Sequence, residues 1–308
     1  MESLIWIPIA IVGALMQAVR TAAQKDLNQT LSIMVTTYVR SFFGLPFLLI
    51  FLYWAMQRNS LGAPGFSPIF LFNCFALAIS QLAATWFLIY LFSLRNFSVG
   101  TTLTKTDVMM TAVIGSLFFS ETINLYGWIA IFLTLAGVLM LTIARVGVQG
   151  LIGVESGGGV FKVMASKPTQ VGLTSGFFFC LSYLFVRESS LSLEQGDFVY
   201  RAGWTVVVAT SMQVLILGIW LFYREPKGLI QMFTKWRLSC FIGLTSAAGS
   251  ICWYTAMTLV NASYVKAVGQ IETVFTIAIA TLYFREKINR QELLGIFVIV
   301  SGVLVFLL

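Results

Sequence analysis

Ten long apolar runs, each almost free of charge, decide most of what this 308-residue chain can fold into. They fall at about residues 4–24, 32–56, 68–93, 98–119, 125–144, 170–187, 197–223, 237–259, 264–284 and 292–308. A helix needs about 20 apolar residues to cross the hydrocarbon core of a bilayer. The sequence therefore predicts an all-α integral membrane protein with ten transmembrane helices. Only 10% of the residues are charged, against about 25% in a soluble domain, which excludes an ordinary soluble enzyme. A hydrophobic content of 58% excludes a disordered chain. The complete lack of His removes His-based triads and His-ligated metals. Cys74, Cys180, Cys240 and Cys252 lie inside apolar runs with no CxxC spacing, so they read as small buried hydrophobes and not as disulfides or metal ligands. No cofactor is expected. The first run has no basic leader and no small-residue cleavage site, and it continues into Arg20 and Lys25; it reads as a span, not a cleaved signal peptide.

The longest connection, residues 145–169, carries the run Gly157-Gly158-Gly159. No Lys-Ser/Thr follows these glycines and no strand precedes them, so they do not read as a phosphate loop. This linker (146–169) separates residues 1–145 from residues 170–308, five runs in each. Shifting the sequence by 165 positions places Asn96 on Asn261, Ser98 on Ser263, Asp107 on Glu272, Glu121 on Glu286, Asn124 on Asn289 and Gly137-Val138 on Gly302-Val303. A slightly smaller shift matches Arg40 to Arg201. The halves read as copies. Five is odd, so consecutive copies must cross the membrane in opposite senses, the inverted-repeat plan of secondary transporters. Connections after the odd-numbered runs hold 12 basic residues, and the other side holds Arg58 and Arg187. The positive-inside rule then puts the linker in the cytoplasm and both chain ends outside. On this reading the net charge of +7 is a topology signal, and no nucleic-acid partner is expected.

Arg20, Arg40, Lys105, Arg201 and Lys266 remain inside the runs, with the acids Asp107 and Glu272. Each charge at the bilayer centre costs roughly 3 kcal/mol on insertion scales, so these groups must face protein, a watery cavity or each other. In the fourth run Thr101, Thr102, Thr104, Lys105, Thr106, Asp107 and Thr111 leave almost no lipid-compatible face. Lys105 and Asp107 are two apart, about 200° around a helix, and do not pair side by side. The ninth run repeats the plan with Lys266, Gln270 and Glu272; Lys266 and Gln270 match Thr101 and Lys105, so the lysine has moved by one turn on the same stripe. Mutual neutralisation that merely holds the bundle together is the alternative to cavity lining. Gly13, Gln17, Arg20 and Gln24 form a polar stripe on the first helix, from which Arg20 is also placed to snorkel to the interface. Arg201 follows Asp197 by four, the spacing of a plain ion pair, whereas Arg40 has no such local partner. Gln81, Thr85, Trp86 and Tyr90, then Ser246, Ser250, Trp253 and Tyr254, set aromatics beside polar residues as candidate substrate walls. Glu121 and Glu286 are expected to cap the following helix through Asn124 or Asn289. Gly137, Gly295 and Gly302 are expected to let helices approach closely.

Taken together, these residues resemble the drug/metabolite transporter superfamily, EamA type, over essentially the whole chain. The resemblance rests on Arg40 and Arg201 in the second helix of each half, the paired corners SETIN and REKIN, and Gly-Val near the end of each half. Where the family often has Glu-Pro in the fourth helix of each half, this chain has Asp107-Val108 and Glu272-Thr273. The resemblance implies export of amino acids, other metabolites or drugs from a cavity lined by helices 1 to 4 and 6 to 9. It also implies cytoplasmic termini, which conflicts with the charge count.

The reading is a non-enzymatic secondary transporter, in a bacterial inner membrane, of a small polar metabolite, most of all an amino acid or related organic anion. Five bases against two acids inside the spans give a positive surplus that attracts an anionic group. Lys105 and Lys266 are the expected anion contacts. Asp107 and Glu272 are expected to meet an amino group or carry a coupling proton. Gln270, Arg40, Arg201, Arg20, Gln17, Gln81, Trp86, Tyr90, Trp253 and Tyr254 complete the expected site. The partners are a small-molecule substrate and the lipid bilayer; a homodimer is left open. The rival is proton-coupled efflux of lipophilic cations.

Overall fold

A computed structural model describes residues 4–94, 105–152, 167–284 and 289–307. These residues form thirteen helices and no strand. They are α1 (Trp6–Leu27), α2 (Ile33–Phe42), α3 (Leu45–Asn59), α4 (Pro68–Leu94), α5 (Asp107–Phe118), α6 (Leu125–Ile152), α7 (Lys167–Leu191), α8 (Phe198–Arg224), α9 (Pro226–Gln231), α10 (Trp236–Leu259), α11 (Ala262–Gly269), α12 (Ile271–Phe284) and α13 (Arg290–Val305). Seven helical stretches among them are long and apolar enough to cross a membrane. Thr101, Thr102, Thr104, Glu286 and linker residues 153–166 lie outside the described residues.

Two runs expected to be continuous are interrupted. The second divides into α2 and α3 at Phe43 and Gly44. Pro46 is the second residue of α3, and a proline ring clashes with the carbonyl four residues back, here Phe42, the last residue of α2. A Cβ at Gly44 would lie 2.6 Å from the Arg40 carbonyl oxygen, and one at Gly243 would lie 2.5 Å from the Phe43 backbone. Bare backbone at both places is what lets the break pack on α10. The ninth run divides into α11 and α12 at Gln270. There the backbone tightens to i→i−3 bonds, Gln270 N to Ala267 O at 3.1 Å and Thr273 N to Gln270 O at 3.0 Å.

The chain forms two compact units, and each draws on both sequence halves. The first comprises residues 1–79 and 185–260. In it α1 packs along α10, and α8 packs on α2, α3 and α10. Gln17 accepts a hydrogen bond from Trp253 Nε1 at 3.1 Å. Asp197 caps α8 by accepting from Tyr200 N at 2.9 Å, and it also meets Asn59 and Arg58 at the end of α3. The α10 C-terminus, whose last carbonyls have no helical partner, is clamped by Arg187: its Nη1 donates to Met257 O at 3.0 Å and Val260 O at 2.6 Å.

The second unit comprises residues 80–184 and 261–308. α6 and α13 pack closely along their lengths. A Cβ on Gly137 would fall 2.7 Å from Ile299, one on Gly295 2.7 Å from Leu141, and one on Gly302 2.7 Å from Thr134. The close approach expected of these three glycines is therefore literal. Val138, Leu141, Ile277 and Ile299 fill the seam, while Leu293, Leu294 and Phe297 on the far face of α13 are exposed, as lipid-facing side chains are. α11 packs on α5 and α6, with Val108, Ala112, Ile131 and Ala267 buried between them. Hydrogen bonds from a charged donor contribute about 1.5–3 kcal/mol, so Arg187→Ala is expected to lower the melting temperature of the detergent-purified protein by several degrees in a fluorescence melt, with Arg187→Lys intermediate.

Candidate functional site

The second unit gathers four of the charges singled out in the sequence. Asp107 is the first residue of α5 and Glu272 the second of α12. A helix N-terminus carries partial positive charge and favours a carboxylate there. Lys266 lies in the last turn of α11, where the dipole favours a cation. The break at Gln270 thus creates the ends at which Lys266 and Glu272 sit.

The pairing crosses between the two sequence copies. Lys266 Nζ is 3.9 Å from Asp107 Oδ2, and Lys105 Nζ is 3.8 Å from Glu272 Oε2. Both distances are ion-pair distances without direct hydrogen-bond contact. Each lysine of one copy faces the acid of the other, and the four charges balance. Lys266 and Asp107 are the deeper pair, 8% and 5% exposed; Lys105 and Glu272 are half-buried.

Tyr183 of α7 completes the cluster. Its hydroxyl donates to Asp107 Oδ2 at 3.1 Å, and Lys266 Nζ stands 4.1 Å from its ring centroid, a cation–π contact. Phe179 stacks on Tyr183 one turn back. Thr111 Oγ1 donates to the Asp107 carbonyl at 2.6 Å. The Gln270 amide nitrogen donates to the Lys266 carbonyl at 3.4 Å across the helix break. Two buried acceptors, Asp107 Oδ1 and Gln270 Oε1, have no hydrogen-bond partner among the described residues. A buried acceptor left unpaired costs about 1–3 kcal/mol. Such atoms in a charged cluster are where a donor from a ligand is best rewarded.

The remaining expected residues have other neighbours. In the second unit Trp86 is exposed and stacks on Tyr90 at 5.7 Å, and Lys167 Nζ lies 5.5 Å from the Tyr90 ring centroid. The Tyr90 hydroxyl, hydrogen-bonded to Lys167, raises the pKa of that ammonium. Gln81 is half-buried and its carbonyl accepts from Thr85 Oγ1. In the first unit Arg40 is half-buried in the last turn of α2, beside the Phe43–Gly44 break. Tyr254 is buried on α10, and Gln17 and Trp253 bond to each other. Arg20 and Arg201 are half-buried. Arg201 does not form the local ion pair its spacing allows: the Asp197 carboxylate turns to its own helix start, Asn59 and Arg58. Tyr183 was not legible beforehand, because a lone tyrosine in the apolar run at 170–187 differs from a packed aromatic only through a contact 76 residues away.

Helices of membrane-crossing length mark this as an integral membrane protein. The model of the EamA-like transporter family matches residues 4–143 and again residues 169–308. The chain belongs to that family, whose members are membrane transporters. No curated protein matches it. Among solved structures 28 chains match; one, described as "Crystal structure of protein", is 10% identical with a TM-score of 0.69, covering 99% of this chain and 94% of the other. At that identity the likeness shows the fold alone.

Removing one member of a buried ion pair leaves the other uncompensated and costs about 3–5 kcal/mol. Lys266→Met is therefore expected to lower the melting temperature markedly, and the double variant Lys266→Met/Asp107→Leu to recover most of the loss. Equal melting of the single and double variants would contradict the pairing.

Proposed function

We propose that this member of the EamA-like transporter family is a secondary transporter that exports a small polar metabolite, an amino acid or related organic anion, by alternating access. In this reading the ten apolar runs span a bacterial inner membrane as two five-helix repeats of opposite orientation, with the 145–169 linker in the cytoplasm. Lys105 and Lys266 meet a carboxylate of the cargo. Asp107 and Glu272 meet its amino group or carry a coupling proton.

The observation that carries this reading is the balanced quartet of the second unit, with Asp107 Oδ1 still without a hydrogen-bond partner among the described residues. Charges buried among membrane helices are costly and are retained where cargo or ions must be bound. Two bases and two acids, each pair just beyond hydrogen-bond contact, offer partners to both charges of a zwitterion. They also narrow the earlier expectation. The lysines are not a free positive surplus, so the quartet suits a cargo carrying an ammonium as well as a carboxylate better than a plain anion. Efflux of lipophilic cations is the second reading. The two unpartnered acceptors favour it, and lysines within 3.9 Å of both acids oppose it.

A ligand that prefers the folded protein raises its melting temperature by mass action. In a thermal-shift screen of amino acids, organic acids, sugar phosphates and quaternary amines, stabilisation is expected from amino acids. Stabilisation by quaternary amines alone would overturn the reading in favour of cation efflux. Single-cysteine labelling in intact cells is expected to find residues 145–169 shielded from the medium; reaction with an impermeant reagent would reverse the orientation.

A further inference from the structure

Glu121 stands in the corner between α5 and α6 and is 3% exposed. It was expected to cap the helix that follows it. The expected cap through Asn124 is present, its Oδ1 accepting from Gly127 N at 2.7 Å, but Glu121 takes no part in it. The Glu121 carboxylate reaches across the second unit to the start of α11. Its Oε1 accepts from Ala262 N at 2.6 Å, and its Oε2 accepts from Ser263 Oγ at 2.8 Å and Ser263 N at 3.5 Å.

The reason lies in the local sequence of α11. Asn261 occupies the N-cap position, where an asparagine normally bonds the first free N–H groups of its own helix. Here it makes no such bond, and its Nδ2 donates to Thr122 O at 2.8 Å. Two orphan N–H groups at a positive helix end are left for an external acceptor, and a carboxylate is the strongest one available. The same corner grips α11 a second time, because Asn124 N donates to the Tyr264 hydroxyl at 3.1 Å and that hydroxyl lies 3.2 Å from Asn124 Oδ1. Gly115 makes room: a Cβ there would sit 2.8 Å from Glu121 Oε2.

α11 has only eight residues, well under the roughly 12–15 at which an isolated helix becomes even marginally stable. Its position is therefore set from outside, and Lys266 lies one turn beyond the capped end. We infer that Glu121 is a positioning residue: by holding the N-terminus of α11 it fixes where Lys266 meets Asp107, so cargo affinity depends on a carboxylate that touches no cargo. The inference rests on the transport reading for its consequence and on the cap alone for its structure.

The test compares Glu121→Gln with Asn289→Ala. The second variant removes a cap of the same kind in the same unit, that of α13, where Asn289 Oδ1 accepts from Gln291 N and Glu292 closes a capping box. Purified variants in proteoliposomes are assayed with an equimolar mixture of the proteinogenic L-amino acids, each quantified by mass spectrometry. Glu121→Gln is expected to raise KM for the transported species about tenfold, the equilibrium equivalent of one cap, with Vmax little changed. Asn289→Ala is expected to lower the melting temperature without moving KM. Adding Ser263→Asp to Glu121→Gln returns a carboxylate to the same contact from the helix side and is expected to restore KM. Equal KM in wild type and Glu121→Gln, or the same KM shift in both single variants, would overturn the inference. Amide hydrogen exchange over residues 262–269 separates its failure from that of the transport reading. Faster exchange in Glu121→Gln sustains the cap even if no amino acid moves, and unchanged exchange refutes it even if one does.

Discussion

A carboxylate and an ammonium inside a membrane protein each carry a desolvation cost that only another charge, a dipole or water relieves. Asp107 and Lys266 relieve each other across 3.9 Å, and the geometry around them follows from that need. Asp107 takes the N-terminus of one helix and Lys266 the C-terminal turn of another, so backbone dipoles favour each ionised form. Tyr183 donates to the acid and lays its ring under the cation. Lys105 and Glu272 repeat the arrangement closer to the surface of the unit. Among the described residues Asp107 Oδ1 and Gln270 Oε1 have no hydrogen-bond partner. Each gap is a buried acceptor open to a further donor.

Broken helices supply the ends on which this chemistry depends. The break at Gln270 produces one C-terminus and one N-terminus within three residues, placing Lys266 and Glu272 on opposite sides of it. The short helix α11 so produced needs anchors from distant sequence. Glu121 and Asn124 grip the start of α11, as Arg187 grips the end of α10. In each case a side chain far away in sequence meets backbone groups that the helix itself leaves open.

The class of fold was legible because hydrocarbon imposes a length and a composition that survive any detail of packing. The doubling of the chain was legible in corresponding residues such as Asp107 and Glu272, and the family model matches once in each half. The charges that form the quartet could be named because charge in an apolar run is conspicuous. Their pairing could not be read, since it joins residues more than 150 positions apart and depends on how α11 lies on α5. The break at Phe43–Gly44 had a visible signal in Pro46, but a continuous apolar run concealed it. The break at Gln270 had none beyond a glycine before it. Glu121 was assigned to the nearer helix because spacing favours local caps; the real partner is 141 residues away. The Arg201–Asp197 spacing misled for the same reason, as Arg58 and Asn59 compete for that carboxylate from another helix.

Whether the quartet reads cargo or only joins helices is decided most directly by exchanging the signs of one pair. The double variant Lys105→Glu/Glu272→Lys keeps an ion pair of the same total length at the same place. Its melting temperature and its amino acid flux in proteoliposomes would be measured beside those of the wild type. If the charges recognise cargo, melting stays close to wild type while flux falls at least about tenfold, the loss of one good interaction. Wild-type flux in a stably folded sign-exchanged protein would contradict the account and reduce the quartet to a structural joint.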